Sequence, residues 1–345
     1  MDLTLSEEQE AVRDAIRDVL RERQPTERVR AVMADEPGVD VDLWRAAAEL
    51  GWFGLALPEA AGGAGYGVPE AMLLFTALGR AVTPGPWMGT VLAAQALADA
   101  TSERDVLDRL LAGRYRVAVV DDPDDRLGSG ARLDGRAQPV FDGGAADGLL
   151  VLGTNRTRLI DSGATGVHIE TGHGIDPTRR LSTVTFSGAS ARDLPVDATT
   201  IRLRGTLLAA AESAGVAERA VEMSVEYGKV REQFGKPIGS FQAIKHRCAD
   251  MAVRAEVARS VVTYAAVALQ DGEADAAVHV HIAKALASNA ALQNTTDNIQ
   301  NHGGMGYTWE SDAHLYLKRA RTLEHCFGSR TAHLDALAAP WRTAS

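Results

Sequence analysis

Cysteine is nearly missing from this chain: Cys248 and Cys326 are the only two among 345 residues. Two thiols cannot staple a chain of this length, so a disulfide framework is excluded and a reducing, cytoplasmic compartment is expected. Aromatic residues are scarce at 5%, and no Trp lies between Trp87 and Trp309. No stretch reaches the roughly 18 consecutive apolar residues that a membrane span requires. The N-terminal stretch Met1 to Leu20 is acidic and lacks an apolar run, so it does not read as a signal peptide. Positive charge is also in deficit, with 36 Lys and Arg against 46 Asp and Glu and a formal net charge of -10. Such a surface repels nucleic-acid phosphates and anionic lipid, so neither is expected as a partner.

What remains is an ordinary globular composition, 46% hydrophobic and 24% charged, long enough for two or three cooperating domains. The first third reads as helical. Ser6 with Glu8 and Gln9 starts a helix whose apolar stripe is Ala11, Val12, Ile16, Val19 and Leu20. A polar break from Gln24 to Pro37 leads to a second helix, Asp42 to Leu50, stopped by Gly51 and then Pro58. The glycine-rich run Ala60 to Gly67 superficially resembles a phosphate loop. No Val/Ile strand precedes it and no Lys-Ser/Thr follows, so it reads as a flexible connection. Pro69 to Ala81 and Gly89 to Ala100 are apolar and helical, divided by Pro84-Gly85-Pro86.

From about Arg114 the texture changes. Short β-type runs occur at Tyr115 to Val120, Gly148 to Leu152, Arg158 to Ile160, Gly166 to Ile169 and Ser182 to Phe186. Turn residues separate them at the spacing of an antiparallel β domain, and Asp121 to Gly144 reads as loop with one weak strand at most. After Pro195 four long, mostly amphipathic segments follow: Ile201 to Val230, Phe241 to Gln270, Glu273 to Asn301 and Asp312 to Phe327. Short connections make them an antiparallel bundle. The expected class is α+β: an N-terminal helical domain over 1–113, a small antiparallel β domain over 114–198 and a C-terminal four-helix bundle over 199–345.

Two stretches of the last third carry the chemistry. In Tyr227 to Met251, the residues Phe241, Ile244, Cys248 and Met251 fall on one helix face. Ahead of them lies the turn Phe234 to Pro237, with Ser240 placed to cap the helix. Arg231 and Gln233 set a guanidinium and an amide at this corner, which suits an anion and most naturally a phosphate. On its own, an ordinary helical corner with a surface arginine explains the pattern equally well. In the second stretch, Asn298 to Arg321, Gln300 precedes Gly303-Gly304, where a ligand or another backbone can approach closely. Thr308, Glu310 and the capping Asp312 then open the next helix. His279 and His281 are about 200° apart on a helix and cannot share a metal. His302, His325 and His333 are scattered, so no metal site and no Ser-His-Asp set is expected.

Together, R-x-Q-F-G-x-P-I-x-x-F-Q (Arg231 to Gln242) and Q-x-x-G-G-x-G-Y-T-x-E (Gln300 to Glu310) resemble the acyl-CoA dehydrogenase family. LPEAAGGAGYG (Leu57 to Gly67) and DPTRRLSTVTF (Asp176 to Phe186) extend the resemblance over nearly the whole chain. It implies FAD, held by the corner and the glycine turn largely across a subunit interface. By resemblance Arg231 meets the pyrophosphate, Phe234 packs on the cofactor and Gln242 hydrogen-bonds it. Gln300, Asn301, His302, Gly303 and Gly304 approach the adenosine end, and Gln233 and Ser329 complete the expected cofactor set. The implied reaction is α,β-dehydrogenation of an acyl-CoA thioester by a carboxylate base and the flavin, with an electron-transfer flavoprotein as acceptor.

The sequence departs from the family where the chemistry is most demanding. The usual base position carries Phe327, ahead of matching Gly328 and Ser329, and the alternative base position carries Gly205, flanked by Leu203 and Thr206. Glu324 and Glu212 are the nearest replacement carboxylates. Glu212 sits among alanines and needs a partner there, so an interhelical salt bridge competes with a catalytic role. The family's flavin-ring motifs are missing from Val119 to Pro123 and beyond. The leading expectation is therefore a base-lacking subunit that completes FAD sites with a full-length partner in an α2β2 heterotetramer. Members of that type include ones acting on steroid side-chain CoA esters. The alternatives are a self-sufficient homo-oligomer with a displaced base, best placed at Glu212, and a scaffold that has lost FAD.

Overall fold

A computed structural model of the protein describes residues 3–342. In chain order the helices begin with α1 (Glu7–Arg23), α2 (Thr26–Ala34), α3 (Val41–Glu49), α4 (Val68–Arg80), α5 (Trp87–Leu97) and α6 (Arg104–Leu111). Seven strands follow: β1 (Val117–Asp121), β2 (Arg132–Phe141), β3 (Gly148–Leu152), β4 (Arg156–Asp161), β5 (Val167–Gly172), β6 (Leu181–Ser190) and β7 (Arg192–Asp197). Then come α7 (Ala198–Val230), the two-residue strands β8 (Glu232–Gln233) and β9 (Lys236–Pro237), α8 (Gln242–Gln270), α9 (Ala276–His302), α10 (Ala313–His325) and α11 (Arg330–Arg342). The helical, β, helical order expected from the sequence is present. No helix among the described residues is long and apolar enough to cross a membrane.

The chain forms two compact units: one takes the residues up to Thr26, Met72–Thr83 and everything from Thr206, and the other takes Glu27–Ala71 and Pro84–Gly205. In the second unit the strands make two sheets, ordered β1-β3-β4-β7 and β2-β6-β5. All pairings are antiparallel except β1 with β3, which is parallel. Val120, Leu133, Leu149, Val151, Val184 and Phe186 form a common buried cluster drawn from both sheets. Strand β2 is the one strand expected of the Asp121 to Gly144 segment, and at ten residues it is longer than a weak one. Its Arg, Asp and Gln side chains face water, and only Leu133 and Val140 are fully buried, so the sequence shows no clean alternation. The break at Gln24 to Pro37 likewise contains a helix, α2, because Val29 and Val32 are buried. The Ala60 to Gly67 run is no loose connection. Gly63, Ala64 and Gly65 donate backbone hydrogen bonds to Pro58, Gly54 and Leu57, and a Cβ on Gly63 would strike the Leu57 carbonyl.

In the bundle unit, α1 opens with the expected capping box, Ser6 and Gln9 exchanging side-chain and backbone hydrogen bonds. A fifth helix, α11, joins the four anticipated at the C-terminal end. Alanine-rich faces let the helices approach closely, most of all α4 and α7. A Cβ on Gly215 would run into the Thr76 carbonyl oxygen, and one on Gly79 into that of Glu212. Gly215→Ala should therefore destabilise the bundle by roughly 1–3 kcal/mol despite the gain of about 1 kcal/mol in helix propensity. Urea unfolding measures this directly, and an unchanged midpoint would mean that α4 and α7 separate at little cost.

The buried charge of the bundle has a definite partner. Arg319 on α10 is wholly buried, and its guanidinium lies 2.7 Å from the Glu212 carboxylate on α7. The same guanidinium donates to the carbonyls of Val82 and Thr83, both at 3.2 Å. The pair is the interhelical salt bridge that competed with a catalytic role for Glu212.

Candidate functional site

The corner after α7 is built from a miniature hairpin. β8 pairs with β9 through Glu232–Pro237 and Gln233–Lys236, so the reversal falls on Phe234 and Gly235 at φ +53 and +77. Two consecutive positive φ values define a tight primed turn, and a bulky residue at the first of them is strained. Phe234 points outward there, 93% exposed. Lys236 lies over the ring of Phe241, 4.5 Å from its centroid, and Phe234 meets Phe241 edge to face. Ser240 does not cap the following helix. It ends a short 3-10 turn, and α8 begins after Phe241, whose N–H donates to Ile238.

Arg231 is exposed, and its guanidinium makes no hydrogen bond or ion pair among the described residues. Its backbone is fixed from both sides, N–H to Tyr227 and C=O from Ile238. Gln233 and Gln242 are exposed as well, with the Gln233 amide donating to the Glu232 carbonyl. A cleft of about 450 Å³ opens within this corner, lined by Val225, Gly228, Lys229, Pro237, Ile244 and Cys248 among others.

The glycine turn at the end of α9 meets the corner through His302 and Asn301. His302 stacks on Tyr227 with centroids 4.1 Å apart, and its Nδ1 lies 2.8 Å from the Asn298 carbonyl. Burial pushes the His302 imidazole below its ordinary range, opposed by that hydrogen bond. Gln300, Gly303 and Gly304 are exposed, Gly303 adopts φ +61, and neither glycine has any atom within 4 Å of where a Cβ would sit. Asn301 differs from its neighbours. Its amide turns inward, accepting from Arg247 at 2.8 Å and donating to the sulfurs of Cys248 and Met251. The side chain of Asn301 thus joins the packing of α8 against α9.

The two base positions hold no acid. Phe327 is half-buried at φ +55, and Gly205 is buried. Glu324 pairs with Arg321 one turn earlier at 3.3 Å, the arrangement of a solvated helix surface. Ser329 accepts from the Ala332 N–H and so starts α11.

In the β-containing unit, the loop after β1 is tied down by its own carboxylates and by Arg202. Arg202 from the first turns of α7 reaches Asp121 at 2.8 Å and the carbonyls of Leu152 and Gly153 at 2.9 and 2.8 Å. Asp122 accepts from the backbone of Arg126 and Leu127, and Asp125 from that of Thr154. Burial raises the Asp121 carboxyl above the ordinary range, opposed by Arg202. Sequence reasoning missed Arg202, which no motif marks. It also missed Lys284 and the His281–His333 pair, where the two Nδ1 atoms lie 2.8 Å apart. His333 is therefore not a scattered histidine. A lysine within the alanine-rich run Ala283 to Ala287 was the one available signal. Glu273, Asp275 and His279 bring ligand atoms within 4.8 Å of one another, a surface acidic cluster with nothing further to mark it as a metal site.

This geometry can be set beside known proteins. The family model for the acyl-CoA dehydrogenase N-terminal domain matches residues 6–113, and that for the C-terminal domain matches 203–340. Acyl-CoA dehydrogenase IpdE2 of Mycobacterium tuberculosis is 37% identical over 322 residues, 92% of each chain. IpdE2 of Mycolicibacterium smegmatis is 34% identical, over 97% of this chain and 99% of the other. Among solved structures, the Tcur3481-Tcur3483 steroid ACAD variant superposes with a TM-score of 0.90 at 30% identity, over 99% of this chain and 100% of the other. The ChsE4-ChsE5 complex from Mycobacterium tuberculosis gives 0.89 at 27%, over 99% of both chains. Domain models covering most of the chain, and relatives matched nearly end to end, make this protein a member of the acyl-CoA dehydrogenase family of oxidoreductases.

Proposed function

We propose that this chain is the base-lacking member of a cytoplasmic assembly of unlike acyl-CoA dehydrogenase subunits. In this reading it lends the Arg231 corner and the Gly303-Gly304 turn to FAD bound mainly by a longer partner. The observation that carries the reading is a contrast within one chain. Neither base position bears a carboxylate, and the buried carboxylate of the same helix α7, Glu212, is paired with Arg319. The corner, by contrast, is exposed, and its Arg231 guanidinium has no hydrogen bond or ion pair among the described residues.

The residues present fit one half of the cofactor and not the other. An unpartnered guanidinium can fork onto phosphate oxygens, an exposed ring can cover an apolar edge, and open glycines admit close approach. Arg231, Phe234, Gln233, Gln242, Gln300, His302, Gly303, Gly304 and Ser329 would hold that half. The ring-side loop does not fit, because Arg202 and Asp121 already occupy each other and the nearby carbonyls. Bound flavin supplies the hydride acceptor of the family's dehydrogenation. This chain's own work is binding and orientation, with proton abstraction left to the partner's carboxylate. The working parts are the helical domain 1–113, the β domain 114–198 and the bundle 199–345.

Two comparisons support unlike subunits and the substrate class. One matched structure is a complex of ChsE4 with ChsE5, and another is described as a steroid ACAD made of Tcur3481 and Tcur3483. We therefore assign the substrate as an acyl-CoA with a steroid-like acyl group and the electron acceptor as an electron-transfer flavoprotein. Purifying this chain alone and together with a full-length partner tests the proposal. The chain alone should be colourless and inactive, and the co-purified assembly yellow, active and loaded with one flavin per pair of chains. A stable, yellow, active homo-oligomer of this chain alone would sink it.

A further inference from the structure

Three titratable side chains converge inside the bundle unit on the turn after α10, and among the described residues none of their hydrogen-bond partners is a carboxylate. Lys284 on α9 is wholly buried. Its ammonium donates to Ser288 Oγ at 3.1 Å and to the carbonyls of Leu323 and Glu324 at 2.9 and 3.3 Å. Those two carbonyls belong to the last turn of α10, where unpaired acceptors and the helix dipole favour a cation. Directly beyond them the chain reverses through Phe327 and Gly328 at φ +55 and +104. His333 of α11, 4% exposed, closes the reversal from the other side. A Cβ on Gly328 would lie 3.1 Å from its Nε2, and its Nδ1 faces that of His281, one turn before Lys284. Two Nδ1 atoms 2.8 Å apart share a single proton, so the rings cannot both be cationic.

Holding an ammonium here works against stability. Burial lowers Lys284 from 10.5 to about 8, and the facing groups Cys326 and Glu324 of the α10 end only partly offset it. His333 is pushed down to about 4 by burial, by Lys284 and by His281. The sign for Lys284 follows from linkage: the native form binds its proton less tightly than the unfolded chain. Stability from this group therefore rises with pH between about 8 and 10.5, and at neutral pH the buried charge is a cost. A group that lowers stability yet spends its protons on two helix-end carbonyls and a hydroxyl is setting a position.

We propose that Lys284 is a positioning residue, whose ammonium, backed by the His281–His333 pair, sets the Cys326–Ser329 turn so that Ser329 faces the cofactor. The link to the cofactor rests on the proposed function; the setting of the turn does not. Lys284→Met and Lys284→Gln are compared with the wild type by amide exchange, thermal unfolding and flavin release from the assembled complex. In Lys284→Met the amides of Cys326, Ala332 and His333 should exchange about tenfold faster. The melting temperature at pH 7 should stay level or rise, and the wild type's gain in stability from pH 8 to 10 should vanish. Lys284→Gln, which keeps donors without charge, should recover part of the slow exchange. Flavin should leave the Lys284→Met complex several-fold faster. A Lys284→Met protein that fails to fold, or melts early with exchange raised throughout α9 and α10, would make the residue a stabilising one and overturn the proposal. So would unchanged exchange in the turn. Faster exchange with unaltered flavin release removes the cofactor link alone, whereas a wild-type complex without flavin counts against the proposed function.

Discussion

Arg319→Ala should cost the bundle unit about 3–5 kcal/mol in chemical denaturation. The guanidinium is wholly buried, 2.7 Å from Glu212, and the substitution would leave that carboxylate charged and without its arginine in a low-dielectric interior. Two carbonyls, those of Val82 and Thr83, would lose a donor at the same time. Glu212→Gln should cost less, because the amide still accepts from Arg319 and no charge is stranded without any acceptor. The double change Glu212→Leu with Arg319→Met should recover part of the loss, since an apolar pair can replace a buried ion pair at little cost. Recovery stays partial, because the two carbonyls remain without the arginine. A loss below about 1 kcal/mol for Arg319→Ala would show the pair to be solvated and idle, as exposed pairs are. The same variants separate the catalytic alternatives. With Glu212 a brace, Glu212→Gln lowers the unfolding midpoint and leaves turnover of the assembled enzyme unchanged at temperatures where it stays folded.

That pair also shows where sequence reading succeeds and where it stops. A glutamate among alanines announces that it needs a partner, but the partner is 107 positions away on another helix. Helices with amphipathic stripes were legible because burial on one face imposes a period near 3.6, as Ile16 and Leu20 of α1 do. The fully apolar strand β3 was legible too, every residue of it being buried. Strand β7 was not, because only Leu194 of it is buried, and β2 was only weakly so, because its exposed Arg, Asp and Gln surround just two fully buried residues, Leu133 and Val140. At the site, the motif residues Arg231, Phe234 and Gly303 lie where turn chemistry puts them, exposed and at positive φ for two of the three. Asn301 could not be separated from Gln300 and His302 by sequence, since its inward direction depends on helix phase against α8. His281 and His333 come together only because α11 folds back on α9, and α11 has no strong apolar period to reveal it.

Arg231→Ala should weaken flavin retention by the assembled complex about 10–100-fold, the equivalent of roughly 1.5–3 kcal/mol for a charge-assisted contact to phosphate. The exposed side chain makes no hydrogen bond or ion pair among the described residues, so its removal should leave the unfolding midpoint within about 0.5 kcal/mol of wild type. Loss of cofactor without loss of stability is the signature that separates a ligand contact from a packing residue. Arg231→Lys should restore little, because a point charge lacks the planar fork that matches two phosphate oxygens. Weakening by salt would be modest if the phosphate is sheltered and steep if the contact stays in water. Phe234→Ala adds an independent arm: alanine keeps the Cβ and with it the strained φ of +53, and the ring it removes is exposed, so stability should stay close to wild type while flavin leaves faster. If neither variant alters flavin release from a flavin-loaded complex, the corner belongs to a scaffold that kept its fold and gave up its cofactor role. If both do, a chain without a base still governs how long its partner's flavin remains bound.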